Sequence, residues 1–253
     1  MRRLLPLTLV LMVVCGALPA AAADKIDGFL GRTYKKSGQT MPYRLFIPPS
    51  YNSKNKYPLI LWLHGAGSLG KDNKMQISEW SIPGTHIWTK PENQAKYPTF
   101  VVAPQCPPEE DCWDAPDANA LGKELLIVLD ILNSLQKEFS IDPQRLYVAG
   151  QSMGGFGTWS LITKRPEIFA AALPLCGGGN PNLASRAAKI PIWAFHGDKD
   201  EEVPVNETRS MITALQIAGG NPKYTEYPGL GHEIWDRVFK EPEIVDWLFA
   251  QHK

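Results

Sequence analysis

The sequence predicts an α/β protein, with a mostly parallel central sheet and helices on both faces. Three observations predict it. Short apolar runs alternate with segments whose apolar residues recur at helical spacing. Several of those runs are apolar at every position, as strands buried on both faces must be. Charged or glycine-containing residues gather just beyond the carboxyl ends of the runs, where open sheets of this class place their ligands.

The elements follow in order. Residues 43–47 (YRLFI) alternate and stop at Pro48-Pro49, which suits an early strand near a sheet edge. Residues 59–63 (LILWL) are apolar throughout and run straight into His64-Gly65, and residues 99–103 (TFVVA) behave alike. The segment 68–98, rich in Trp, Pro and Lys, is long for a connection and is expected to shape the mouth of a site. Within 119–139, Leu121, Leu125, Ile127, Val128, Leu132 and Leu135 give an amphipathic helix that stops before Asp142-Pro143. A strand at 145–149 (RLYVA) precedes a helix at 153–164, which Pro166 limits. Two more buried strands are expected at 170–175 and 190–195, and a helix at 205–218 that Gly219-Gly220 would close. A last strand at 224–227 and a last helix at 233–251 complete the pattern.

Composition narrows the function classes. The 253 residues balance 26 Lys+Arg against 26 Asp+Glu, so no basic surplus attracts phosphate backbones or anionic lipid, and nucleic-acid binding is excluded. The chain opens with Met1-Arg2-Arg3, an apolar run from Leu4 to Leu18, and four small residues, Ala20 to Ala23. Residues 1–23 therefore read as a secretory signal peptide, too short in apolar length for the roughly 20 residues of a membrane span. Val14 before Cys15, where a small residue would be needed, argues against lipidation. The expectation is a secreted or periplasmic protein, with no membrane span after cleavage and one domain over residues 24–253.

Cys106, Cys112 and Cys176 remain after cleavage, in a compartment where cysteines normally pair. Cys106 and Cys112 flank Pro-Pro-Glu-Glu-Asp and could close a short disulfide loop; the other reading makes all three small core or loop residues. His64, His86, His196, His232 and His252 are scattered, with no His-Glu-x-x-His run, so no metal is expected.

The chemistry gathers around Gly150-Gln151-Ser152-Met153-Gly154, a G-x-S-x-G sequence between a predicted strand and a predicted helix. A serine on so sharp a turn presents its hydroxyl outward, and the flanking glycines leave room for the neighbouring strand and helix. A serine hydroxyl needs a base, and the base needs an orienting acid. Downstream, His232 in Gly-Leu-Gly-His follows the last strand, and Asp200 stands in the loop His196-Gly-Asp-Lys-Asp-Glu-Glu-Val-Pro. Asp200 is the favoured acid, with Asp198, Glu201 and Glu202 competing in the same loop. His196 reads as a strand-end histidine with structural hydrogen bonds. An oxyanion would be held by the N–H of Met153, which follows the serine, and by a second N–H from His64-Gly65-Ala66-Gly67, with Ala66 the first choice and Gly65 the alternative. Trp113, beside Asp114, and Trp235, just past His232, are candidate walls for a substrate pocket; simple packing is the competing reading for both.

The strings WLHGAG (62–67), APQCP (103–107), YVAGQSMGGFGTW (147–159), LCGGG (175–179), FHGDKDEEVPV (195–205) and EYPGLGHEIWD (226–236) resemble the α/β-hydrolase superfamily. More narrowly, they are similar to secreted esterases of the phospholipase/carboxylesterase and prolyl-oligopeptidase-like group, including feruloyl-esterase-like and depolymerase-like proteins. The resemblance covers about residues 40–250. It implies an α/β-hydrolase fold, a triad of Ser152, Asp200 and His232, and a cofactor-free hydrolase of esters or amides, with a serine hydrolase acting on carboxylic esters the leading reading. The substrate would be a small-molecule or polysaccharide-linked ester. One departure is Ser68-Leu69, where relatives often carry charged residues after the HGAG string. Two other functions compete. A prolyl-oligopeptidase-like peptidase would use the same triad, but commonly adds a gating domain for which the mature chain has no room. A noncatalytic binding protein would keep the fold without needing all three triad side chains.

Overall fold

The computed structural model describes residues 24–109, 112, 113 and 119–253; the expected signal segment, residues 1–23, and Asp114 lie outside the described residues. The strands are β1 (Lys25–Ile26), β2 (Phe29–Lys36), β3 (Gln39–Phe46), β4 (Tyr57–Leu63), β5 (Phe100–Pro104), β6 (Ile141–Gln151), β7 (Ala171–Leu175), β8 (Trp193–Gly197) and β9 (Lys223–Tyr227). They form one sheet in the order β1-β2-β3-β5-β4-β6-β7-β8-β9. From β5 to β9 every neighbouring pair is parallel; β1, β2 and β3 pair antiparallel at one end.

Period-two alternation in LILWL divides the core. Leu59, Leu61 and Leu63 enter one cluster with Leu125, Ile131 and Leu135 of α3 (Lys123–Glu138), Trp159 and Ile162 of α4 (Met153–Lys164), and Met211 and Leu215 of a helix at Asn206–Ile217. Ile60 and Trp62 point into the other, with Trp88, Trp235, Phe239, Ile244 and Leu248. The sheet is thus covered on both faces, as its apolar strands require. Short helices α1 (Ile82–His86) and α2 (Pro91–Lys96) belong to the long connection between β4 and β5; α5 is the Asn206–Ile217 helix, and α6 (Trp235–Val238) and α7 (Ile244–Phe249) end the fold.

Three expectations about elements are corrected. The strand expected at 43–47 starts at Gln39 and is interior, because β1 and β2 lie outside it. Its hairpin with β2 turns at Ser37-Gly38, both at positive φ (52° and 77°), a two-residue turn whose twist suits paired strands. The strand expected from Arg145 begins at Ile141 and passes through Pro143; register jumps from Tyr57↔Ile141 to Leu59↔Leu146, and this bulge removes the proline from the ladder. The single helix expected at 233–251 is two short ones, with Pro242 between α6 and α7.

The order β5-β4-β6 reverses direction beside β4. The loops leaving the carboxyl ends of β4 and β6 diverge there, opening the crevice in which sheets of this kind bind ligands.

Candidate active site

Ser152 links β6 to α4 with φ 54° and ψ −121°, a conformation an L-residue adopts only when its surroundings impose it. The surroundings do. A Cβ at Gly150 would strike the Gly154 carbonyl, and one at Gly154 would strike the Leu63 carbonyl of β4, so the strand, the turn and the helix can pack this closely only with glycines there. Ser152 N donates to Leu175 O at 2.9 Å, fastening the turn to β7.

The three side chains predicted to work together meet. Ser152 Oγ lies 2.8 Å from His232 Nε2, and His232 Nδ1 lies 2.6 Å from Asp200 Oδ2. They come from the carboxyl ends of β6, β9 and β8. The last two loops are stitched to each other, Asp198 N donating to Tyr227 O (3.2 Å) and Lys199 N to Leu230 O (2.9 Å). Asp198 points elsewhere and accepts from Gly229 N at 2.6 Å. Glu202 Oε2 is 3.8 Å from His232 Nε2 on a side chain that is largely exposed.

Asp200 Oδ1 accepts from the N–H groups of Glu202 (3.0 Å) and Val203 (2.8 Å). Burial pushes its carboxyl up. The hydrogen bonds from His232 and from those two amides outweigh burial and hold it below the usual carboxylate range. His232 therefore faces an anion, which fixes a proton on Nδ1 and leaves Nε2 to accept from the serine.

Two sets of backbone N–H groups near Ser152 come before the first hydrogen bonds of their helical turns. Within α4 the first bonds are Gly155 N and Phe156 N to Ser152 O, so the N–H groups of Met153 and Gly154 precede the helical ladder. After β4, Ala66–Ser68 form a 3₁₀ turn in which Ser68 N donates to Gly65 O, leaving the Ala66 and Gly67 N–H groups ahead of its first bond. Both are the positively polarised ends of short helical segments.

The loop after β4 is braced from below. His64 is wholly buried, and burial lowers its imidazole to about 4. Its Nε2 accepts from Cys106 N (3.1 Å), so Nδ1 carries the proton and donates to Gly65 O (2.8 Å). Cys106 is disulfide-bonded to Cys112, and next to Cys112 the Trp113 indole N–H donates to His64 O at 3.0 Å. The disulfide thus joins two groups that grip His64. Cys176 is a buried free thiol whose pKa burial raises.

A cleft of about 240 Å³ surrounds Ser152, lined by residues 65–68, Trp80, Gln151, Glu202, His232, Glu233 and Trp235. Trp235 stands in its wall, edge-on to His232 with ring centroids 5.3 Å apart. Trp113 does not: it is wholly buried beneath the loop after β4, packing on His64 (5.2 Å), because its indole N–H is spent on the His64 carbonyl. Sequence reasoning named Glu202 only as a competing acid and missed Trp80, Gln151 and Glu233. The last two adjoin Ser152 and His232 in the chain, and that adjacency could have found them. Trp80 lies in the irregular 68–98 segment, where no periodicity points to it.

The comparisons with known proteins give the family and the fold. The family model described as "Putative esterase" matches residues 35–242. The chain belongs to that esterase family. Its chemistry is accordingly the hydrolysis of carboxylic esters. A crystal structure of a thermostable esterase superposes with a TM-score of 0.85 at 41% identity, covering 90% of this chain and 64% of that one, and the fold is the α/β-hydrolase fold. A probable carboxylesterase SOBER1-like protein of Arabidopsis thaliana is 27% identical over 213 residues, 75% of this chain and 77% of the relative. A probable feruloyl esterase C of Aspergillus niger is 27% identical over 199 residues, 78% of this chain and 68% of the relative. Among the described residues, this esterase has no helix long and apolar enough to cross a membrane.

Proposed function

We propose that this esterase works through an acyl-enzyme formed on Ser152. His232 Nε2 takes the serine proton as Oγ attacks the ester carbonyl, and Asp200 steadies the imidazolium that results. The N–H groups of Met153 and Ala66 receive the developing oxyanion, each contributing on the order of 3 kcal/mol to lowering the barrier. The protonated His232 then gives its proton to the leaving alcohol, and water repeats the sequence to release the acid. Nothing in these steps calls for a metal or another cofactor. The observation that carries this reading is the unbroken contact chain from Ser152 Oγ through His232 to Asp200, at 2.8 and 2.6 Å.

The cleft wall favours a neutral substrate with a flat ring near the ester. Trp80 offers an exposed indole and Trp235, itself buried, closes the wall beside His232, while the ionisable groups of the lining besides His232 are the carboxylates of Glu202 and Glu233. A negative charge beside the scissile bond would meet two like charges. Aryl-acyl or sugar-linked esters fit this wall, in keeping with the feruloyl esterase name of one relative. The N-terminal signal pattern and the Cys106–Cys112 disulfide support work outside the cytoplasm.

A panel of acetyl, feruloyl, succinyl-monoester and peptide substrates tests the reading. Turnover of acetyl and feruloyl esters, with the anionic succinyl monoester at least about tenfold slower, is the expected result. Preferential cleavage of the peptides would replace it with a peptidase.

A further inference from the structure

Asp200 has a second histidine behind it. His196, in β8, is wholly buried, and its Nε2 lies 2.9 Å from Val203 O and 3.1 Å from Asp200 Oδ2. A carbonyl and a carboxylate can only accept, so Nε2 must carry a proton. The other nitrogen, Nδ1, is 2.8 Å from Thr208 Oγ1 of α5, and that hydroxyl donates to Gly177 O at 2.6 Å. Burial holds the His196 ring below the ordinary imidazole value against the opposing pull of Val203 O and Asp200.

The carboxylate is then held on every side. Oδ2 takes one imidazole N–H from His232 and one from His196; Oδ1 takes the Glu202 and Val203 amides. His196 also holds the Val203 carbonyl while Val203 N holds Oδ1, closing a ring of contacts around the loop. Rotation of the carboxylate away from His232 would break several of these bonds together.

We propose that His196 is a positioning residue for ester hydrolysis, its Nε2–H fixing the Asp200 carboxylate so that His232 is presented to Ser152 in the reactive orientation. The proposal rests on reading Asp200 as the acid of the triad. A histidine that only ties β8 to α5 would act through Nδ1 and Thr208, whereas the contacts to Asp200 and to the Val203 carbonyl of the same loop run through Nε2. The two roles therefore use different ring nitrogens, and amide side chains separate them: Asn reproduces Nδ1, and Gln reproduces Nε2.

His196→Asn, His196→Gln and Ser152→Ala are compared on p-nitrophenyl acetate, with thermal midpoints measured alongside. His196→Asn should lower kcat about 10- to 100-fold, the loss of one hydrogen bond to a charged group, with KM nearly unchanged. His196→Gln should recover most of that loss. Wild-type kcat in the Asn variant, equal losses in both variants, or a loss confined to KM would overturn the proposal. Should neither variant fold, the tautomer decides it in the wild-type protein: nitrogen-15 spectra of the histidine rings should show His196 protonated on Nε2, and protonation on Nδ1 alone would overturn it. Ser152→Ala marks the reading underneath. If that variant still turns over, the triad itself fails and the role of His196 falls with it; if it is inactive while His196→Asn is not, only the His196 proposal fails.

Discussion

Ser152 carries both the reactivity and the strain of the site. Its φ of 54° is imposed by the close packing of β4, β6 and α4, and a non-glycine residue held there costs on the order of 1–3 kcal/mol. Ser152→Ala should abolish ester hydrolysis while leaving the thermal midpoint close to wild type. Ser152→Gly should be as inactive yet melt a few degrees higher, since glycine relieves the strain; a lower midpoint would mean that the turn is not strained. The acid can be tested within its own loop. Asp200→Asn should reduce kcat about 10³- to 10⁴-fold by disturbing the His232 tautomer, whereas Asp198→Asn, at a carboxylate that accepts from Gly229 N, should stay within a few-fold. The reverse ranking would move the acid to Asp198. Three of these residues were legible because each adjoins a glycine-marked turn at a strand end. Asp200 was favoured over Asp198 in the sequence, but both lie in one loop, and it is the path of that loop that decides which carboxylate reaches His232.

At the scale of elements, the loop after β4 depends on contacts far from it in sequence. Cys106 N and the Trp113 indole both hold His64, and the Cys106–Cys112 bond holds those two together. Replacing both cysteines by serine should cost about 2 kcal/mol of stability. It should also lower kcat by about tenfold with KM little changed, because an oxyanion donor on a looser loop helps only the transition state. Unchanged kcat after full reduction, read by ester turnover with thiol titration, would show that the brace is dispensable. His64 gives the loop a pH dependence. Its folded pKa of about 4 lies below the unfolded value near 6.5, so the folded state binds fewer protons in that window; its contribution is present above pH 6.5 and is lost as pH falls toward 4, by about 3 kcal/mol. A thermal midpoint that stays flat from pH 6.5 to 4 would contradict a neutral buried His64. The disulfide could be suggested from spacing, but what it braces could not. Trp113 reads in sequence as a wall of the pocket and in space as a wedge beneath it, because its N–H partner lies 49 residues away.

Across the whole molecule, the parallel part of the sheet was legible because strands buried on both faces are apolar at every position, as in LILWL, and need no partner to be recognised. The antiparallel end was not. β2 (FLGRTYKK) is half exposed and carries charge, so its pattern is weak, and the turn at Ser37-Gly38 was its best signal. Two prolines mark where the pattern fell short: Pro143 sits inside a strand because of a bulge, and Pro242, passed over in the sequence, separates two helices that apolar spacing alone merges. What the sheet does for function is bring three loop residues, separated by tens of positions in the chain, to the carboxyl ends of β6, β8 and β9. Trapping that assembly in covalent form is the most direct test of the account. Intact-mass analysis after treatment with a fluorophosphonate, followed by peptide mapping, should find a single adduct on Ser152 that Ser152→Ala loses and His232→Ala forms far more slowly. A folded protein that takes up no adduct, or takes it up on another side chain, would contradict it.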